Sequence, residues 1–196
     1  MGMQFNRLAL LKHQRAFTLI ELLVTVTVLG VLTAIALPNL RDFIVANRLS
    51  SNVNAFVGML SYARSEAIVR NKQVIVCAKN NASNACVADI EWGKYETQIF
   101  VDEDGDDVWS AGDTLLKTVA AIDVSRTQFA FTRKIDPGSN SIKFQSGGFG
   151  TNLFRFDINA LNPSDVAYEI TYGRTICISK PGRARVRGLT NTCPAL

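Results

Sequence analysis

The segment FTLIELLVTVTVLGVLTAIAL, residues 17–37, holds a single charge, Glu21, in 21 positions. At about 1.5 Å per residue, a helix of this length matches the roughly 30 Å hydrocarbon core of a bilayer. It reads as a transmembrane helix. Residues 1–16 contain Arg7, Lys12, His13 and Arg15 and no acid. Positive charge on that flank predicts a cytoplasmic leader, with the rest of the chain on the far side of the membrane. A cleavable secretory signal would place its cut after the apolar run, behind small residues. Here Pro38-Asn39-Leu40-Arg41 leads on into another helical pattern, so the run is expected to stay in the protein.

Glu21 is out of place. A carboxylate costs about 2.5–3.5 kcal/mol at the centre of a membrane helix, and less near its end, so a compensating partner is expected. Arg15-Ala16-Phe17-Thr18-Leu19-Ile20-Glu21-Leu22-Leu23 resembles the type III signal of type IV prepilins and type II secretion pseudopilins. The resemblance implies that a prepilin peptidase cuts between Ala16 and Phe17 and methylates the new amine of Phe17. It also implies that Glu21, fifth in the mature chain, pairs with the N-terminal amine of a neighbouring subunit in a filament. Ala16 departs from the pattern, which usually has Gly there; both residues are small, so processing is still expected.

Beyond Pro38, Phe43, Leu49, Val53, Phe56, Val57, Leu60, Ala63 and Ala67 recur at spacings of three and four with a few gaps, which predicts an amphipathic helix to about Arg70. Pro38 would remove one backbone hydrogen bond and kink the joined helix. From Gln73 onward the pattern changes to short runs rich in Val, Ile, Phe, Tyr and Thr: QVIVCAK, ETQIFVD, TLLKTVAAI, TQFAFT, SIKFQ, LFRFDI, AYEITY and RTICIS. Asp104-Gly105-Asp106, Asp136-Pro137-Gly138, Gly147-Gly148 and Asn162-Pro163 separate them with turn chemistry. The whole resembles minor pilins of the FimT and FimU kind and GspH pseudopilins. That implies an α+β, type IV pilin-like fold: a long N-terminal helix packed on a β-rich head of two antiparallel sheets. The expected organisation is a removed leader at 1–16, a transmembrane helix at 17–37, its amphipathic continuation at 38–70, and a head at 71–196 with a disulfide-closed C-terminal loop.

All four cysteines follow the apolar run, which fits an oxidising compartment and two disulfides. Three pairings are possible. The sequence-local one, Cys77 with Cys86 and Cys177 with Cys193, is favoured because each bond closes a polar loop whose first cysteine lies in an expected strand. A loop of about 15 residues contributes roughly 3 kcal/mol in the chain-entropy description. The spacings are wide and contain no CxxC, so a zinc site is not expected.

Ten acids and two lysines lie between Asp89 and Asp123. Asp102, Asp104, Asp106 and Asp113 fall at the first, third, fifth and twelfth positions of an EF-hand-like register, with Ser110 at the ninth. Gly105 stands at the fourth position rather than the sixth, Asp107 takes the sixth, and a strand rather than a helix precedes the loop. The expected reading is a solvated acidic hairpin, with calcium as the weaker alternative. No metal and no cofactor is assigned.

The formal charge is +4, and removing Arg7, Lys12 and Arg15 with the leader leaves about +1, so bulk basicity gives no reason to expect nucleic acid. Local charge does. No acid follows Glu169, while Arg174, Lys180, Arg183, Arg185 and Arg187 supply five cations. In Lys180-Pro181-Gly182-Arg183-Ala184-Arg185-Val186-Arg187-Gly188 the arginines alternate with small or apolar residues. An extended segment would set all three on one face, roughly 6.6 Å apart, as a comb for a phosphate backbone. Arginine forks onto phosphate oxygens and stacks on bases, which suits sequence-tolerant contact. Gly182-Arg183-Ala184-Arg185 also resembles the GRxR element of FimT-type minor pilins used in natural transformation, and this implies DNA binding through Lys180, Gly182, Arg183, Arg185 and Arg187.

Catalysis is not expected. The chain has one histidine, His13 in the leader, and no nucleophile, base and orienter come together. Gly147-Gly148-Phe149-Gly150 is a turn, because no helix pattern follows it. The expected function is a minor type IV pilin that binds DNA non-specifically for uptake. The alternatives are a structural minor pilin that primes or caps the filament, or a type II secretion minor pseudopilin. Expected partners are other pilins and minor pilins, prepilin peptidase, DNA and the inner membrane, with the head in the periplasm before incorporation into an extracellular pilus.

Overall fold

The computed structural model describes residues 17–80, 85–87, 92–121, 129–135, 141–150, 154–160, 172–188 and Cys193. The leader with Ala16, the run AYEITY up to Thr171 and the turns at 136–138 and 162–163 lie outside the described residues. The chain divides into two compact units, residues 1–42 and 43–196.

Helix α1, Leu19–Arg70, begins and ends on recognisable caps. The Thr18 hydroxyl accepts the Glu21 backbone N–H at 3.3 Å, which makes Thr18 the N-cap and puts the Glu21 carboxylate in the first turn, where the helix dipole favours a negative charge. At the far end Asn71 adopts φ 52°, and the N–H groups of Lys72 and Asn71 bond back to the carbonyls of Ala67 and Ile68, a Schellman closure. The backbone is helical through Pro38. Within the first unit, Leu19–Leu37 has a mean hydropathy of 2.4 and buries none of its surface, so by length and composition it can cross a membrane. An apolar surface of this extent needs lipid or other protein around it.

In the second unit α1 buries Leu49, Val53, Phe56, Met59, Leu60, Ala63 and Ala67. The sequence pattern names all of these except Met59. Phe43, which the pattern also names, is 65% exposed. Eight strands follow among the described residues: β1 Gln73–Lys79, β2 Glu96–Asp102, β3 Thr114–Val119, β4 Phe129–Ile135, β5 Ser141–Phe144, β6 Phe154–Ala160, β7 Arg174–Ile178 and β8 Ala184–Gly188. They form two antiparallel sheets, ordered β3-β2-β1-β5 and β4-β6-β7-β8.

The core follows from alternation along the strands. Val74, Val76 and Ala78 of β1, Ile99 and Val101 of β2, Phe154, Phe156 and Ile158 of β6, and Ile176 and Ile178 of β7 join the buried face of α1 in one cluster. At its centre the Phe156 ring meets Phe56 edge-on at 4.9 Å and Trp92 at 5.2 Å, tying the second sheet to the helix and to a short 3-10 turn, Trp92–Lys94. The opposite face of β1 is closed separately. Ile75, Cys77 and Phe100 pack under Cys86 and Trp109, and the Trp109 ring stands edge-on to Phe100 at 5.2 Å. β1 is therefore buried on both sides, which fits its nearly unbroken apolar run.

Cys77 is bonded to Cys86 and Cys177 to Cys193, with Cα separations of 5.4 and 5.6 Å. The first bond covers the outer side of β1. The second ties Cys193 to β7. The segment expected as a C-terminal loop contains a further strand: β8 extends the second sheet by pairing with β7, because Arg185 and Arg187 fall opposite Cys177 and Thr175 on its accessible edge.

Candidate functional site

Among the described residues β8 is the outermost strand of its sheet. Ala184 packs against the core, while Arg183 and Arg185 are exposed and Arg187 is half-buried. Arg185 and Arg187 take alternate positions of β8 and Arg183 stands just before it, with Arg187 less accessible than the other two. Lys180 is exposed at the turn before β8. Arg174 is drawn elsewhere, since its guanidinium donates to the carbonyls of Tyr172 and Gly173 at 3.2 and 2.9 Å. The acid nearest in register, Asp157 of β6, sits across Thr175 from Arg187. Its carboxylate is buried and accepts from Arg155 at 2.9 Å and from the Thr175 hydroxyl at 2.7 Å.

The turn from β7 to β8 is held by its own hydrogen bonds. Gly182 donates to Ser179 O at 2.7 Å, and Ser179 donates to Arg183 O at 3.1 Å. Gly182 has φ +75°, and a Cβ built there would stand 2.2 Å from the carbonyl oxygen of Gly148. Gly148 in turn lies flush on α1: its own φ is +73°, and a Cβ there would stand 2.7 Å from the Ile68 side chain. The Gly150 N–H donates to Lys180 O at 2.9 Å, and the Arg64 Nε–H donates to Gly148 O at 2.9 Å. Two glycine turns are thus stacked against the helix, and the glycine of GRxR is required by close backbone approach.

Sequence reasoning missed Arg64. It lies between the core positions Ala63 and Ala67 on α1, and its partner is 84 residues away, so no local pattern singles it out. Together with Ser61, Ser65, Gly182, Arg183 and Arg185 it lines a cleft of about 400 Å³. The cleft brings Arg183 and Arg185 together with the helix. Lys180 and Arg187 are not among its lining residues.

The acidic segment is a different kind of structure. Asp102, buried at the end of β2, accepts from Gln73 Nε2 at 2.8 Å, from the Gly105 N–H at 2.9 Å and from the Asp107 N–H at 3.3 Å. Asp113 accepts from the Glu103 and Ser110 N–H groups at 3.0 and 2.7 Å. Asp104 and Asp106 accept from N–H groups two residues ahead of each. The carboxylates of Asp102, Asp104 and Asp106 come within 4.8 Å of one another, and Asp113 stands outside that group. Hydrogen bonding to Lys72, with Thr114, holds the Glu103 carboxyl below the usual carboxylate range, and Lys143 does the same for Asp107. Asp104 goes the other way. The Asp106 N–H favours its charge, but desolvation and the neighbouring carboxylates outweigh that and raise it. These carboxylates act as caps for a tight acidic hairpin.

Comparison with known proteins agrees with this architecture. Residues 52–182 match the family described as type II transport protein GspH, and residues 11–37 match the prokaryotic N-terminal methylation motif. A fimbrial protein of Pseudomonas aeruginosa is 35% identical over 68 residues, 35% of this chain and 44% of that protein. The type IV major fimbrial protein FimA of Dichelobacter nodosus is 35% identical over 83 residues, 42% of this chain and 49% of FimA. The chain therefore spans about half the length of the curated relatives it matches. Among solved structures, the type IV minor pilin FimU of Pseudomonas aeruginosa superposes with a TM-score of 0.52 at 21% identity, over 74% of this chain and 92% of FimU. The minor pseudopilin EpsH of the Vibrio cholerae type 2 secretion system covers 72% of this chain and 98% of its own at 12% identity, with a TM-score of 0.47. The second unit, a helix with two antiparallel sheets, has the fold of FimU, and an apolar helix long enough to cross a membrane lies in the first. With the family match covering most of its length, this chain belongs to the GspH family of minor type IV pilins and type II secretion pseudopilins, which are structural subunits and not enzymes.

Proposed function

We propose that this chain is a minor pilin of a type IV pilus that binds DNA without sequence preference, for uptake in natural transformation. The observation that carries the reading is the exposed edge strand opened by Gly182. It presents Arg183 and Arg185, and no acid follows Glu169 in the sequence. Lys180 at the turn and the half-buried Arg187 complete the set. Such a row neutralises backbone phosphates and carries little base information, as non-specific capture requires.

The test uses the full chain in neutral detergent with a labelled duplex of mixed sequence. If Lys180, Arg183, Arg185 and Arg187 each neutralise one phosphate, log affinity falls against log salt with a slope of about −3.6. The double substitution Arg183→Ala with Arg185→Ala should remove about 1.8 of that slope and weaken unrelated sequences alike. It should abolish transformation while pili still assemble. Absence of binding at low salt, or an unchanged double variant, would favour a structural minor pilin that primes or caps the filament. Loss of the pili with the double variant would point the same way.

The membrane part of the proposal is that prepilin peptidase cuts between Ala16 and Phe17 and leaves the apolar helix as an inner-membrane anchor, with the head in the periplasm. Its support is the methylation motif, the basic leader and the Thr18-capped helix start. Glu21 then meets the Phe17 amine of a neighbouring pilin. Mass spectrometry of the extracted protein should find a methylated Phe17 at the N-terminus. An intact leader in cells with an active peptidase would sink this part.

A further inference from the structure

We propose that the cleft between α1 and the β7–β8 turn is a phosphate seat in which Arg64 of the helix acts with Arg183 and Arg185 on adjacent backbone phosphodiesters of one strand. The inference deepens the DNA-binding reading and rests on it for the identity of the ligand. Three guanidinium-bearing residues line this cleft of about 400 Å³, and none of its described lining residues is acidic. The nearest acid along the helix, Glu66, is engaged by Arg70 at 2.6 Å. Cations gathered without a counter-charge repel one another, and an anion placed among them removes that repulsion.

The donors also point to an anion. The Ser61 and Ser65 hydroxyls donate to the helix carbonyls of Val57 and Tyr62 at 2.8 and 2.7 Å, which leaves the arginines as the main source of N–H groups in the cleft. Arg64 is half-buried and fixed by its Nε–H on Gly148 O at 2.9 Å, whereas Arg183 and Arg185 are exposed. A guanidinium has five N–H donors, so one bond to Gly148 leaves four for a ligand. A half-buried, anchored guanidinium also loses less freedom on binding than an exposed one. The stacked glycine turns bring these residues together. Recognition then belongs to helix and strand jointly, and not to the GRxR strand alone.

Arg64→Gln removes the charge and keeps an N–H donor for Gly148. The full chain in neutral detergent is titrated with labelled duplex DNA, and in parallel with inorganic polyphosphate, which has phosphates but no bases or sugars. For both probes the salt slope should become shallower by about 0.9. Affinity at low salt should fall roughly tenfold, as for loss of a charge-assisted hydrogen bond. Combining Arg64→Gln with Arg183→Ala should cost less than the product of the single effects, because the two residues line one cleft and hold neighbouring phosphates of the same strand. Arg64→Lys should restore the slope, and this result also decides the matter if glutamine loosens the turn. DNA binding whose slope is untouched by Arg64→Gln, or not restored by Arg64→Lys, overturns the seat and leaves the DNA reading standing. Arg64-dependent polyphosphate binding without DNA binding supports the seat and overturns the DNA reading. Failure to bind either probe at low salt overturns both.

Discussion

In the Gly182→Ala protein, trypsin is expected to cut after Arg183 and Arg185 ten to a hundred times faster than in the parent, with the rest of the head still folded. Two effects act together. An alanine at φ +75° carries the left-handed penalty of about 1–2 kcal/mol, and its Cβ meets the Gly148 carbonyl at 2.2 Å, a backbone atom with no rotamer to give. The turn must lift away from Gly148 and Arg64, and each 1.4 kcal/mol of local opening is about a tenfold gain in the cleavable population. Gly105→Ala is the control. Gly105 has φ +77°, but a methyl group added there meets nothing within 4 Å, so it carries the backbone penalty alone. Cleavage after Arg183 should be unchanged there. Equal cleavage rates for Gly182→Ala and the parent would show that the two glycine turns are not stacked as described.

Phe156→Ala is expected to lower the stability of the head by about 3–5 kcal/mol, a large share of the 5–15 kcal/mol typical of a domain. The ring is fully buried at the centre of β6, where both Phe56 of the helix and Trp92 meet it edge-on. Truncation leaves a cavity bounded by three separate elements, which cannot all relax into it. The midpoint of thermal unfolding should drop by roughly 8–15 °C for a unit of this size. Phe149→Ala, at a ring 58% exposed, should change stability by no more than about 0.5 kcal/mol. Similar losses for both substitutions would contradict the packing of the second sheet on α1.

Much of the site was legible along the chain because its signals are local. Alternating arginines in an extended segment must share a side, whatever the segment pairs with. Short runs rich in β-branched and aromatic residues also mark β1, β2, β6 and β7 closely, since each is buried along much of its length. The strand β8 was hidden by the same arginines. A charged edge strand lacks the apolar run that reveals an interior one, and only its pairing with β7 makes it a strand. Phe43 fits the helical spacing and is nevertheless exposed, because spacing identifies a stripe and not where the packing partner stops. The acidic register could be written onto Asp102, Asp104, Asp106 and Asp113. The hydrogen bonds show Asp113 capping Glu103 and Ser110 instead of joining the other three.

The sequence by itself determined the apolar helix, the basic stretch before it, the β-rich character of the head and the placement of cations after the last acid. These are properties of composition and period, which hold for any arrangement of the elements. Tertiary structure alone decided which glycine is indispensable, which arginines meet, and that a helix residue belongs beside a motif more than a hundred residues later. Arg64 looks like any charge on a helix until Gly148 and Gly182 are packed against it. Contacts between residues far apart in the chain depend on how the elements close around a common core, and hydrophobic period carries no record of which polar groups that closure brings face to face.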